Sequence, residues 1–313
     1  MAFNIFMAGG HAKVTDEYLK EHGANRLFNQ LYERTTIGNR WIEHKKLHPE
    51  KHNKLFVDSS AYSAHTRGAE VDIDSYIDYL NENKGMFDAI AELDVIPGEF
   101  QKPKTYEQLT SAPKQSWDNY LYMRERIIDK DNLLPIFHMG EDFKWLHLML
   151  DTTFENDKHI PYIGISPAND STTKYKDIWM EQVFRIIKDS KNPNVKTHAF
   201  GMTVLEQLER HPFYSADSTS PLLTGAMGNV YSKKGLISFA DKNGGIDAFY
   251  RLPKQIQNDV RQVLEEVGEG FTVELLAEDY KARALYNCQY VIDWAENYEF
   301  KGIKHRQKTL FTR

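Results

Sequence analysis

Short runs of β-type residues recur along this chain, and most are followed by a polar loop and then an amphipathic helical pattern. That alternation is the strongest constraint on the fold, because neighbouring parallel strands need a crossover and a helix is the usual one. The candidate strands are Asn4 to Ala8, Lys54 to Asp58, Phe87 to Asp94, Leu133 to His138, Tyr162 to Ser166, Thr197 to Gly201 and Phe213 to Asp217, with an eighth near Gly228 to Tyr231. Eight such units close a barrel. The sequence therefore predicts an α/β protein, a (β/α)8 TIM barrel over about residues 1–250 of a single domain spanning 1–313, with a helical C-terminal extension and basic tail over 251–313.

Helical stretches fall between the strands. TDEYLKEH is expected to open at Thr15 as N-cap and DSYIDYLNEN at Asp74, while TKYKDIWMEQVFRIIKDS carries Ile178, Trp179, Val183, Ile186 and Ile187 close to a 3.6-residue period. PKQIQNDVRQVLEEVG and VELLAEDYKARALYNCQYVIDWAENYE read as the helices of the extension. Arg283 and Asn287, spaced i, i+4 in the second, form a polar pair that either faces substrate or stabilises the helix. The segment from Pro97 to Pro113, interrupted by Pro103, reads as a long loop.

Hydrophobic residues at 41% and charged residues at 27% are the proportions of a soluble globular protein rather than a disordered one. The single cysteine, Cys288, excludes an intramolecular disulfide and a Cys-rich structural zinc site, which predicts a reducing cytoplasm. No run of about 18 apolar residues and no leader pattern is present, so neither a membrane partner nor export is expected. A net charge of −6 counts against a broadly basic nucleic-acid surface. Charge is uneven, however: residues 301–313 carry Lys301, Lys304, Arg306, Lys308 and Arg313 and no acid, which makes a solvated tail or a contact for a phosphate backbone.

In a parallel barrel the active site is built at the carboxyl ends of the strands. Here those positions hold Asp58, Asp94, His138, Ser166 and Asp217, each directly after an apolar run. A lone strand-end aspartate is as readily the cap of the next helix. Three such carboxylates are the apparatus of glycosidic chemistry, in which one attacks or stabilises the anomeric carbon and another moves a proton.

Six segments in order carry a resemblance: Val57-Asp58-Ser59-Ser60-Ala61-Tyr62-Ser63, Leu93-Asp94, Ile136-Phe137-His138-Met139-Gly140, Ile163-Gly164-Ile165, His198-Ala199-Phe200-Gly201-Met202 and Tyr214-Ser215-Ala216-Asp217-Ser218-Thr219-Ser220. With them, about residues 55 to 220 resemble the tRNA-guanine transglycosylases, and more closely their phage relatives that place 7-deazaguanines in DNA. The resemblance implies an enzyme that exchanges guanine in DNA for a free 7-deazaguanine base such as 7-cyano-7-deazaguanine (preQ0), with no cofactor. It makes Asp217 the nucleophile that holds the sugar as an ester and Asp58 the general acid/base. Asp94 would read the two adjacent N–H donors of the base, and His138 stands where the usual family member has glutamine. Backbone N–H groups at Gly164 and Ile165 would face the base carbonyl, and Gly201 belongs to the same pocket. Tyr62 and Met202 would sandwich the ring, with plain core residues as the alternative. Lys304 and Arg306, with Arg67 just beyond a strand end, are the candidate nucleic-acid contacts; for Arg67, as for His11 and His65, an ordinary surface loop is the other reading.

The chain also departs from the family. The three-cysteine, one-histidine zinc site of the tRNA-acting bacterial members has no counterpart, and Ser60-Ala61 replaces a glycine pair. Three other functions remain open on the sequence: exchange in tRNA, a hydrolytic N-glycosidase or nucleosidase, and a noncatalytic partner barrel.

Overall fold

A computed structural model describes residues 2–10, 13–99, 102–168, 171–202, 204–233, 235–240 and 247–302. Nine strand segments form one parallel sheet: β1 (Asn4–Met7), β2 (Asn25–Asn29), β3 (Leu55–Asp58), β4 (Ala89–Ala91), β5 (Leu133–Leu134), β6 (Ile136–His138), β7 (Tyr162–Ser166), β8 (Lys196–Ala199) and β9 (Ser215–Ser218). Their order is β5-β4-β3-β2-β1-β9-β8-β7-β6. The two ends of that order are halves of one run, Leu133 to His138, divided at Pro135, so the sheet closes as an eight-stave α/β barrel.

Closure at the divided stave has a definite chemistry. Pro135 has no N–H, but its carbonyl accepts from Gly164 N at 2.8 Å, while Glu92 N donates to Leu134 O at 3.1 Å on the other side. The next donor, Ile136 N, goes to the Glu92 carboxyl Oε1 at 2.7 Å. Glu92 is wholly buried, and burial raises its carboxyl well above the usual range, the bond from Ile136 opposing only in part. A protonated acid thus stands in for a backbone partner.

Side chains alternate across each stave. Phe6, Phe56, Ala89, Ala91, Leu134, Ile136 and Tyr162 fill the barrel interior, with Leu27, Phe200 and Tyr214 packed against them. Their neighbours Ile5, Met7, Leu55, Val57, Ile90, Phe137, Ile163 and Ile165 join the larger core between strands and helices. The same parity turns Asn29, Asp58, His138, Ser166 and Asp217 inward at the last layer, above the aromatic floor.

The eighth stave is not where the sequence predicts it. It is β2, whose residues Asn25-Arg26-Leu27-Phe28-Asn29 hide a strand behind a fully buried arginine that donates to Met7 O at 2.9 Å and Gly10 O at 3.1 Å. The segment near Gly228 to Tyr231 instead forms β10 (Asn229–Ser232), antiparallel to β11 (Gly235–Ser238) in a separate two-stranded sheet. Helix starts also move: helix Lys13–Glu21 begins before Thr15, which is buried, and Ile73–Glu82 is capped by Asp72, which accepts from Asp74 N at 3.0 Å. Helix Tyr106–Arg126 runs through Pro113, because a Thr105–Gln108 capping box sets its start seven residues ahead of that proline.

In the C-terminal part, helix Lys254–Val267 lies where the pattern predicts, and the last stretch splits at Asp279 into Val273–Glu278 and Tyr280–Glu296. The final helix sends Cys288, Val291, Ile292 and Ala295 into the main core and Ala282 and Tyr286 into a second one with Val230, Phe239, Phe249 and Leu264. Arg283 donates to Gly225 O at 2.8 Å and Leu276 O at 2.7 Å, and Asn287 to Pro221 O and Asn229 O, each at 3.1 Å. This pair therefore staples the extension to the barrel. Gly225 has to be glycine, since a Cβ there would lie 2.5 Å from Ala284 N. Among the described residues no helix is long and apolar enough to cross a membrane.

The divided stave makes a prediction. Glu92→Gln keeps an acceptor for Ile136 N and is expected to change unfolding free energy by less than about 1 kcal/mol, whereas Glu92→Ala should cost about 2–3 kcal/mol. Equal urea midpoints for the alanine variant and the parent would refute the role given to this carboxyl.

Candidate active site

The turn after β3 organises one side of the barrel mouth. Ser60 N donates to Asp58 Oδ2 at 3.0 Å, and the Ser59 hydroxyl donates to Asp94 Oδ1 at 3.3 Å while accepting from Ala61 N at 3.3 Å. Ser60 is fully buried with φ of 76°, a left-handed backbone that disfavours any side chain. Its hydroxyl donates to Asn29 Oδ1 and accepts from Leu31 N at 3.0 Å, so the strained residue is held by the neighbouring stave. The hydroxyl of Ser60 thereby ties the turn after β3 to the residues that end β2 and open the next helix.

Beside this turn, Asp94 Oδ2 meets His138 Nε2 at 3.1 Å, and His138 Nδ1 meets Glu141 Oε1 at 3.2 Å. Glu141 Oε2 also accepts from His138 N at 3.1 Å. Across the mouth, Asp217 Oδ1 accepts from Gly201 N at 3.1 Å and lies 3.3 Å from His198 Nε2. His198 is fully buried, with Nδ1 2.7 Å from Ser215 Oγ, which in turn bonds the Tyr162 hydroxyl.

The environments separate these groups. Burial, then the charge of Asp94, and further Asp217 and Glu33, push the Asp58 carboxyl up to about 7, against the opposing bond from Ser60 N. Both protonation states are then populated near neutrality, as a group that both gives and takes a proton requires. Burial disfavours the charged form of His138, but its bonds to Asp94 and Glu141 outweigh that and hold it up to about 10. At neutral pH it is an imidazolium between two carboxylates. Burial lowers His198 instead, with Asp217 opposing, so that ring is neutral.

Of the residues singled out in the sequence, Asp58, Asp94, His138 and Asp217 share the carboxyl end of the barrel, and Asp58 feels the charge of both other aspartates. Tyr62 stands at the rim in the first turn of helix Ala61–Arg67, 57% exposed. Arg67, exposed on that helix, lies 4.2 Å from the ring centre of Tyr32, in the helix after β2. Gly201 contributes its N–H to Asp217 rather than a free donor to the pocket.

Two positions, Gly164 and Met202, differ from the pocket roles expected of them. The Gly164 N–H is committed to Pro135 O, and Gly164 lacks a side chain because Phe200 lies against it, 2.5 Å from where a Cβ would stand. The Ile165 side chain is on the outward parity and fully buried in the outer core, as its expected role through the backbone N–H allows. Met202 is also in that core, 2% exposed; Phe200 is the member of its segment that faces the barrel interior. Lys304 and Arg306 lie outside the described residues. The residues missed in the sequence, His198, Ser215, Tyr162 and Glu141, sit inside strands or a turn, where only inward parity with the strand-end acids would have marked them.

A cavity of about 460 Å³ lies elsewhere, lined by Arg124, Lys130, Asp131, Glu155 and Lys158 before the amino ends of β5 and β7. Its charges are mixed, and it is far in topology from the carboxylates. Comparison with family models and with curated proteins returns no match.

Two measurements check these electrostatics. The folded state holds the Asp58 proton up to about 7 whereas an unfolded aspartate releases it near 3.8, so this group weakens the fold as pH rises through that interval. Asp58→Asn is therefore expected to stabilise the protein at pH 8 by on the order of 2 kcal/mol, with the gain shrinking toward pH 5. A less stable variant at pH 8 would contradict the assignment. For His138 the sign is reversed: its stabilisation is complete below 6.5 and is lost as pH climbs through about 10. Its ring resonances should report an imidazolium at pH 8, and a neutral ring there would dismiss the Asp94–His138–Glu141 arrangement.

Proposed function

We propose that this chain is a base-exchange transglycosylase that replaces guanine in DNA with a 7-deazaguanine such as 7-cyano-7-deazaguanine, through a covalent ester between Asp217 and the sugar. The observation that carries this reading is the pairing at one barrel mouth of two carboxyls in opposite settings. Asp58 is pushed up to about 7, while Asp217 has two N–H groups beside a single oxygen. An acid that keeps its proton serves the departing base, and an oriented carboxylate serves as nucleophile.

In the first step the bond between the sugar anomeric carbon and guanine breaks as Asp217 forms the ester, and the Asp58 proton goes to the leaving base. The incoming base then gives its N–H proton to the Asp58 carboxylate as its nitrogen bonds the anomeric carbon and the ester C–O bond breaks. Two displacements return the original stereochemistry and leave the strand uncut. Asp94, fixed by Ser59 and His138, is the acceptor for the two adjacent N–H groups of a guanine-type edge. The exposed Tyr62 and the Arg67–Tyr32 pair offer stacking faces beside the mouth for a nucleotide taken out of a helix.

The order of the six motifs supports kinship with the tRNA-guanine transglycosylases, and the lack of cysteines for their zinc site supports the DNA-acting branch. The test is mass spectrometry of nucleosides from duplex DNA and from tRNA, each incubated with enzyme and labelled 7-cyano-7-deazaguanine. Label is expected in DNA. Label only in tRNA would move the substrate to RNA, and free guanine with abasic sites but no label would make the protein a hydrolase. Asp217→Ala should abolish both exchange and the covalent adduct; full activity in that variant would remove the assigned nucleophile.

A further inference from the structure

The hydrogen bonds behind Asp217 form an unbroken chain through the barrel interior. Tyr162, His198 and Ser215 are 5%, 0% and 0% exposed, and His198 is enclosed by the rings of Phe56 at 4.6 Å, Phe200 at 4.5 Å and Phe6 at 6.0 Å. The imidazole is 0% exposed, and among the described residues its two nitrogens are served by Ser215 and Tyr162 on one side and Asp217 on the other. A neutral imidazole has one donor and one acceptor. A carboxylate cannot donate, so Nε2 carries the proton and points it at Asp217 Oδ1. Nδ1 is then the acceptor of the Ser215 O–H, and Ser215 Oγ accepts from the Tyr162 O–H.

We propose that His198 is a positioning residue for base exchange: with Gly201 N it engages Oδ1 of Asp217 and so leaves Oδ2 as the oxygen that bonds the sugar. The inference rests on Asp217 being the nucleophile. Once the ester forms through Oδ2, Oδ1 becomes its carbonyl oxygen and keeps the same two donors. When the incoming base displaces the ester, the electron pair of the C–O bond returns to the carboxylate, and the two N–H groups meet the charge as it develops. Ser215 and Tyr162 act one and two bonds further back, by fixing which nitrogen of His198 bears the proton. The device matters most in the second displacement, where a carboxylate is the leaving group.

The experiment has a spectroscopic arm and a kinetic arm. Long-range proton–nitrogen correlation on the intact wild-type chain at pH 7 should show His198 neutral and protonated at Nε2. In kinetics, His198→Phe fits the same aromatic surroundings and removes both nitrogens, and it should lower kcat for exchange about 100-fold. KM for the free base should change little, and the covalent adduct should accumulate. His198→Gln, which can return an N–H toward Oδ1, should recover part of the rate while His198→Phe does not. A wild type that exchanges base but carries the proton on Nδ1, or a His198→Phe variant that folds with unchanged kcat, overturns the inference alone. A wild type with the Nε2 proton that exchanges no base overturns the reading of the reaction and leaves the held carboxylate standing.

Discussion

Everything at this mouth depends on the closure of the barrel, because only a closed ring of parallel strands turns alternate residues of separate segments toward one axis. Closure is least regular at Leu133 to His138, where Pro135 divides a stave and the Glu92 carboxyl supplies the missing acceptor. His138 sits three residues beyond that division, at the end of β6, and its partner Asp94 lies two beyond Glu92. The divided seam of the sheet and the Asp94–His138 side of the mouth are therefore built from the same few residues.

The second organising force is the crowding of like charge. Asp94, Asp217 and Glu33 act on Asp58 through a mouth with an apolar, aromatic floor, where repulsion is poorly screened. The structure answers in two ways. One carboxyl retains a proton near neutrality, and one histidine, bonded on both sides by acids, becomes a resident cation.

Much of this was legible in the sequence, and the exceptions have physical causes. The acids at the mouth were visible because each ends an apolar run, and seven of the barrel strands follow from the same runs. β2 was hidden because Arg26 is buried against backbone carbonyls, an arrangement that composition reads as loop. Residues near Gly228 looked like a stave because a hairpin packed on helices has the same alternation as a barrel strand. Pro113 looked like a helix breaker, and a capping box upstream overrode it. At the site, Gly164 gives its N–H to Pro135 O and Met202, in the turn after β8, packs into the core, contacts between segments that a single motif does not reveal. His198, Ser215 and Tyr162 were unmarked because hydrogen bonds between staves join residues distant in sequence.

The lone thiol has a consequence of its own. Cys288 is sealed between the final helix and the barrel, and burial pushes it up to about 12, with Arg26 only partly opposing. A sulfur both inaccessible and protonated is inert toward alkylating reagents while the helix is seated. Its modification rate is consequently a clock for the undocking of Tyr280–Glu296, and it times the opening of the C-terminal staple separately from the melting of the barrel itself.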